Sequence, residues 1–338
     1  MSKNNSNGLP PDGRGPGYPG DLKGQLGWLA RGRNEFMSPT NKTRDKRSPV
    51  IGKYTQYARL SILGLFIDTL HLLGFYPQYL DNISARHVRA AVDYWDSQGC
   101  VTRTLQTRLS AIRMMFAWGG RSGALPPNKE LLKPHHWRSS SVAKKDKTWI
   151  GNGLDVYEVI NWVPESDTWI RFSLEFQREF GLRVKESALL KIHEADLGDY
   201  LRVNWGTKGG RSRLVPITNA KQRDLIKRCK LWCPPGQSLI GPQHKTSWRQ
   251  ARRRYDYVLG KILGINRKSL GIASHGLRCE FLCEQYFLFT GELAPVRGGA
   301  PIDSALDRAA RQYIATLAGH NRPGVVSAYC GAVLRKKK

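Results

Sequence analysis

Acidic residues are scarce in this chain: 27 Asp and Glu stand against 54 Lys and Arg in 338 residues, a formal net charge of +27. Self-repulsion on that scale opposes a compact state unless a polyanion absorbs it, which puts nucleic acid first among partners. Long apolar runs are also missing. No stretch approaches the roughly 18 apolar residues that cross a bilayer, and the opening MSKNNSNGLPPDGRGPGYPGD lacks the hydrophobic segment of a signal peptide. The expectation is a cytoplasmic protein with no membrane partner. Cysteine is sparse, with six residues, too few for a disulfide scaffold of this size. Cys229 with Cys233, and Cys279 with Cys283, stand four apart, one helical turn, whereas a zinc knuckle leaves two residues between its ligands. Buried thiols are expected there, and no metal is assigned.

What is present is enough for about two domains, since 40% of the residues are hydrophobic. Residues 1–48 are rich in Gly, Pro, Asn and basic side chains, and read as a flexible basic tail. From Tyr54 the apolar spacing turns helical: Tyr57, Leu60, Leu63, Phe66, Ile67 and Leu70 share one face. Ser84 is placed to cap a second helix through Trp95. A third carries Leu105, Leu109, Ile112 and Phe116 on its apolar side, leaving Arg103, Arg108 and Arg113 to a basic outer face for DNA. A helical domain is therefore expected over 49–135. A linker follows over 136–146 within the aperiodic KPHHWRSSSVAKKDKTW, whose paired His135 and His136 are expected to be solvated.

Beyond it, over 147–338, a helix from about Ser166 ends at Gly181 and another starts near Val184, running through Leu189, Leu190 and Ile192. Then the period shortens to two: Tyr200–Trp205 and Ser212–Pro216 flank Gly206-Thr-Lys-Gly-Gly210, a β-hairpin with Lys208 at its tip. Helices follow at about 219–231 and 247–263, the latter carrying Arg249, Arg252, Arg253 and Arg254, and offering a second basic face.

Four segments require a common explanation: Gly181-Leu-Arg183-Val-Lys-Glu186, the hairpin Lys208, His275-Gly-Leu-Arg278, and Leu317-Ala-Gly-His320 with Tyr329 nine residues after the histidine. Each alone is a weak signal. Together, in this order, the chain resembles the tyrosine recombinase, or phage integrase, family, most specifically over about 170–330 and more loosely over 50–130. That resemblance implies a mainly α fold with a small β-sheet: a helical core-binding domain plus a mixed catalytic domain, forming a C-shaped clamp on DNA. It implies Tyr329 as the nucleophile, whose phenolic oxygen forms a phosphotyrosyl ester and conserves the phosphodiester energy. Arg183 and Arg278 would grip the non-bridging oxygens, and His275 and His320 would donate to the same phosphate, with His275 accepting the tyrosine proton. Lys208 would protonate the departing 5′ oxygen, and Glu186 would orient its neighbours without reacting.

The function implied is site-specific recombination without metal or nucleotide cofactor. Four protomers, monomeric or weakly associated when free, would join two double-stranded sites through a Holliday junction, with accessory or directionality proteins and a nucleoid-associated location in a prokaryotic cytoplasm. Two rivals are a relaxing enzyme of the type IB topoisomerase kind and a DNA-binding relative that has lost catalysis. Three features depart from the family pattern. Ser187-Ala188 stands where two leucines are usual. Forty-one residues separate Arg278 from His320, with 291–304 reading as an inserted surface loop, away from the scissile phosphate and available to a neighbouring protomer. Nine residues follow Tyr329, leaving little for an exchanged C-terminal helix.

Overall fold

The computed structural model describes residues 20–31, 53–241 and 247–332. The chain divides into two compact units between Ser140 and Ser141, inside the segment expected to be a linker.

Among the described residues the first unit holds five α-helices: α1 (Leu22–Arg31), α2 (Lys53–Leu72), α3 (Ala85–Ser97), α4 (Thr102–Trp118) and the single turn α5 (Asn128–Leu131). Helix α1 corrects the reading of residues 1–48 as a tail throughout. Leu22, Leu26 and Leu29 recur on one helical face and are buried with Leu63, Phe66, Leu109 and Ile112, each worth roughly 1.5–3 kcal/mol of burial. Three leucines in a polar stretch suffice when a preformed groove receives them. The rest of 1–48 lies outside the described residues. Polar groups in this core are paired: Trp95 Nε1 donates to Thr69 Oγ1 at 3.0 Å. His136 is a second correction, being buried instead of solvated. Its ring nitrogens meet Thr102 Oγ1 and Asp96 Oδ1, each at 2.7 Å, clasping the end of the unit onto α3 and α4.

The second unit carries α6 (Val156–Asn161), α7 (Thr168–Phe180), α8 (Val184–Ala188), α9 (Ile192–Ala195), β1 (Tyr200–Val203), β2 (Arg213–Pro216), α10 (Ala220–Trp232), α11 (Trp248–Tyr257), α12 (His275–Thr290), α13 (Ser304–Leu317) and α14 (Ser327–Cys330). The expected helix through Ile192 breaks into α8 and α9, because the backbone of Leu190 and Ala188 turns to accept from Leu239 and Ile240. The hairpin forms as expected, antiparallel with Tyr200 opposite Pro216 and Val203 opposite Arg213. Helix α12 runs through the middle of this unit, packed by α7, α13 and α14. Its Leu, Cys and Phe side chains are distributed round the helix, so it is buried on nearly all sides from Gly276 to Cys283. The end of the linker is drawn in: Trp149 is fully buried, and its backbone N–H donates to Glu280 on α12 at 3.2 Å.

The 291–304 insertion is not a free surface loop. Ala294 is fully buried, and Val296 and Ile302 pack on the same core as Tyr329. Cys229, Cys233, Cys279 and Cys283 are buried as expected; Cys330 is buried as well, and Cys100 half-buried.

Candidate active site

The site is assembled from chain reversals. Helix α7 ends at Gly181 in the left-handed region (φ 61°), where a Cβ would also lie 2.4 Å from the Phe281 ring; only glycine meets both demands. Leu182 is buried, and Arg183 follows as the residue preceding α8. The Arg-x-x-Glu spacing now has a physical reason. Glu186, the third helical residue, reaches back to accept from the Arg183 backbone N–H at 2.8 Å and from its Nη1 at 2.5 Å.

The same carboxylate takes both nitrogens of Arg213, at 3.0 and 2.7 Å, and stands 3.8 Å from Arg278. Burial alone would raise Glu186; the bonds from Arg213 and the charges of Arg213, Arg183 and Arg278 outweigh it and hold it at about 2. Arg213 is a member of the site that the sequence reading missed. Its signal was its place on β2, inward with Val215 while Leu214 faces out.

On the opposite wall, α12 opens with His275. Gly276 is required there, because a Cβ would sit 2.2 Å from the Lys147 carbonyl where the linker crosses. Arg278 is fully buried. It donates to the Gly181 carbonyl and, at 2.6 Å, to that of Ala318. These carbonyls close the C-termini of α7 and α13, the negative ends of two helices, which accounts for a cation in so enclosed a place. Burial, then the Arg183 charge, lowers Arg278 to about 10.

After α13 the chain reverses and presents His320, whose Nε2 lies 3.1 Å from the Tyr329 hydroxyl and 3.3 Å from Arg183 Nη2. A guanidinium only donates, so Nε2 must carry the lone pair and the tyrosine hydroxyl donates to it. Burial and the charges of Arg183, Arg278 and Lys208 hold His320 at about 4. His275, whose side chain is exposed at the mouth of the site, is also drawn down to about 4, by the crowding of its ring and then by the charges of Arg278 and Arg183. Its ring packs 5.6 Å from that of Tyr329, so the imidazole within hydrogen-bond distance of the Tyr329 hydroxyl is His320 and not, as expected, His275. The Tyr329 ring also lies 5.6 Å from the Arg278 guanidinium. Lys208 is exposed in the turn at the hairpin tip, and its charge is felt at His320.

The segment carrying Tyr329 is held from several sides. Ser327 accepts from Ala143 N–H at 2.8 Å, and Arg311 binds Ser327 Oγ at 3.2 Å and the Gly331 carbonyl at 3.0 Å. A Cβ on Gly331 would meet the Val296 backbone nitrogen at 2.9 Å, which sets the insertion directly against this segment. Two thiols make reciprocal contacts: Cys283 Sγ lies 3.8 Å from the Tyr329 carbonyl, and Cys330 Sγ 3.8 Å from that of Leu282.

With two guanidinium groups, two neutral imidazoles and a phenol converging, known proteins give the arrangement its context. A family model described as "Phage integrase, N-terminal" matches residues 50–124, and one described as "Integrase" matches residues 140–231. A curated relative, tyrosine recombinase XerC of Chromobacterium violaceum, is 27% identical over 186 residues, covering 51% of this chain and 58% of its own length. The chain belongs to the tyrosine recombinase family. Solved structures of tyrosine recombinases share its fold. A lambda integrase (75–356) dimer bound to a COC′ core site aligns at TM-score 0.58 and 15% identity, over 87% of this chain and 94% of that one. XerH bound to a palindromic difH substrate aligns at 0.54 and 14%, over 91% and 80%.

The chain also carries basic helices, and their arginines divide. On α4, Arg103 is exposed and Arg108 stacks on Trp95 at 4.5 Å. Arg113 turns inward instead, donating to the Leu125 and Pro126 carbonyls and to Asn128, so it is a loop clasp and not part of an outer face. On α11, Arg249 and Arg253 are exposed, Arg252 pairs with Asp256 at 2.8 Å, and Arg254 binds Asp167 through two nitrogens. Among the described residues one group has metal-ligand atoms converging within 4.8 Å, Asp96 with His135 and His136. Both Asp96 oxygens are engaged, by His136 at 2.7 Å and Lys133 at 2.5 Å, so it reads as the ionic clasp already described. No helix of the described residues is long and apolar enough to cross a membrane.

Proposed function

We propose that this protein is a site-specific DNA recombinase that cuts and rejoins duplex DNA through a phosphotyrosyl link made by Tyr329. The observation that carries this reading is the Tyr329 hydroxyl already donating to His320 Nε2, at a site where Arg183 and Arg278 converge on one backbone carbonyl. A scissile phosphate placed there meets two guanidinium groups suited to its two non-bridging oxygens, where charge grows during attack. A free tyrosine, with a pKa of about 10, is a poor nucleophile at neutral pH. His320, kept neutral, accepts the proton as the Tyr329 oxygen bonds to phosphorus. The bond to the 5′ oxygen breaks, and Lys208 at the hairpin tip supplies the proton that oxygen takes up. Attack by a 5′ hydroxyl on the phosphotyrosine reverses the steps and restores the tyrosine.

His275, the second neutral imidazole, donates to the phosphate. The exposed arginines of α4 and α11 bind the backbone of the duplex, one helix in each unit. Four protomers would act on two sites through a Holliday junction, as a lambda integrase tetramer is bound to one, in a prokaryotic cytoplasm.

The test is a nicked suicide duplex, on which the cleaved end diffuses away and the covalent adduct accumulates. Wild-type protein should form it in excess EDTA, and Tyr329→Phe should bind the duplex within a few-fold yet form none. Adduct at the wild-type level in Tyr329→Phe would reassign the nucleophile. Relaxation of supercoiled plasmid lacking a cognate site would turn the reading to a topoisomerase.

A further inference from the structure

We infer that Arg213 is a positioning residue for strand cleavage: through Glu186 it fixes Arg183, and so makes the base of the Lys208 hairpin and the phosphate-gripping arginine one mechanical unit. The inference deepens the cleavage reading above and rests on it. Arg213 is the first residue of β2, opposite Val203 and directly after the tip that carries Lys208. Its side chain is 4% exposed, in a strand whose other inward residue is apolar Val215. Burying a guanidinium there is costly unless it is paired, and its partner is the buried carboxylate that also binds Arg183. The Arg213 side chain also runs beneath the turn that delivers His320, 3.3 Å from where a Cβ on Gly319 would lie. Three catalytic elements therefore meet at one arginine that touches none of the reacting atoms.

A simple staple between hairpin and core would have the same contacts, but the charges around Glu186 separate the two roles. The groups facing that carboxylate are Arg183 from the start of α8, Arg213 from β2 and Arg278 from α12, with neutral His320 beyond Arg183. Of the three cations, Arg278 spends its hydrogen bonds on backbone carbonyls. Without Arg213, burial works on Glu186 against much weaker opposition, and the carboxyl takes a proton at milder acidity. A protonated Glu186 has no charge with which to hold the Arg183 guanidinium, so the defect must deepen as pH falls. A staple, once lost, would slow cleavage by one factor at every pH.

The experiment is single-turnover adduct formation by the full chain on the nicked suicide duplex between pH 4 and 8.5, a range that reaches down to the wild-type acid limb set by His320 at about 4, with melting temperature and duplex binding followed at each pH. Arg213→Met should lie within about tenfold of wild type at pH 8, and the midpoint of its acid limb should move up by at least one pH unit. Arg213→Lys restores charge without the fork, and should keep the wild-type midpoint while cleaving more slowly. If Arg213→Met does not fold, Arg213→Gln takes its place with the same expectation. A uniform rate factor across the range, or a midpoint moved equally in the lysine variant, would overturn the inference and leave Arg213 a staple. Absence of adduct from wild type at every pH would instead overturn the cleavage reading, and the inference with it.

Discussion

Arg183 and Arg278 reach the same acceptor, the Ala318 carbonyl, from opposite walls, at 3.2 and 2.6 Å. On the α8 wall the anchoring is ionic: one buried carboxylate binds Arg183 and Arg213, and everything depends on Glu186 staying charged. On the α12 wall the anchoring is peptide: Arg278 rests on the carbonyls that end α7 and α13, which neither titrate nor change with a side-chain substitution. The first kind of support is strong but conditional on proton concentration. The second is permanent, and meets its cation mainly with backbone carbonyls, the carboxylate of Glu186 standing off at 3.8 Å.

Substitution can break this contrast. Arg183→Met and Arg278→Met should each slow adduct formation by about 10²–10³-fold, the scale for removing one donor to a developing oxyanion. Their supports should differ in stability. Glu186→Gln leaves Arg213 buried without a counter-charge and should cost about 3–5 kcal/mol in urea unfolding, whereas Arg278→Met, which removes a buried charge met mainly by backbone carbonyls, should fall within about 1 kcal/mol of wild type. Equal losses would mean that both walls rest on ion pairs.

A smaller effect concerns Tyr329, which belongs to neither wall. Replacing 291–304 with a short Gly-Ser linker withdraws Val296 from Gly331, and should reduce single-site cleavage about tenfold to a hundredfold, since small misplacements of a reacting group cost that much. Unchanged cleavage would return the segment to the role of passive insertion.

Acid should distinguish the histidines next. His275 and His320 stand at about 4 in the folded protein, below an ordinary value near 6.5, so the unfolded chain binds protons that the native one does not. Stability is therefore fully present above pH 6.5 and lost as pH falls towards 4. Melting temperature should decline over that window, and His275→Gln with His320→Gln should flatten the decline. A decline of the same steepness in the double variant would place the titrating groups elsewhere. The smallest effect belongs to the surface: Arg249→Ala with Arg253→Ala should lower the salt dependence of duplex binding by up to about two counterions. Arg113→Ala should lower melting temperature and leave that dependence alone.

Much of the site was legible because its residues follow local rules. Gly181 had to end a helix, Glu186 had to stand three residues after Arg183 to reach back to its N–H, and the hairpin announced itself by turn chemistry and alternation. What the sequence concealed was long-range. Arg213 reads as one more surface cation until the fold brings a buried carboxylate to it. His320 and His275 are interchangeable in sequence, and only the reversal after α13 decides which one touches Tyr329. Helix α1 hid for a different reason: three leucines cannot fold a segment alone, yet suffice once another surface receives them. Arg113 hid among its neighbours on α4 because helical spacing says where a side chain starts, not whether a loop carbonyl lies within its reach.

The reciprocal thiol contacts beside Tyr329 make the protein its own clock. Cys330 is fully enclosed, and its hydrogen bond with Cys283 together with burial raises the Cys283 thiol well above the usual range, so neither sulfur reacts with an alkylating reagent while α14 is docked. Cys330 is joined by a peptide bond to Tyr329, so undocking of α14 that exposes the thiol also carries Tyr329 away from His320. With fast reagent, the rate at which one iodoacetamide is taken up at Cys330 is then the rate of undocking itself. With slow reagent, it is the undocked fraction multiplied by the intrinsic reactivity of the thiol. The protein thus reports, in the absence of DNA, how often Tyr329 leaves His320.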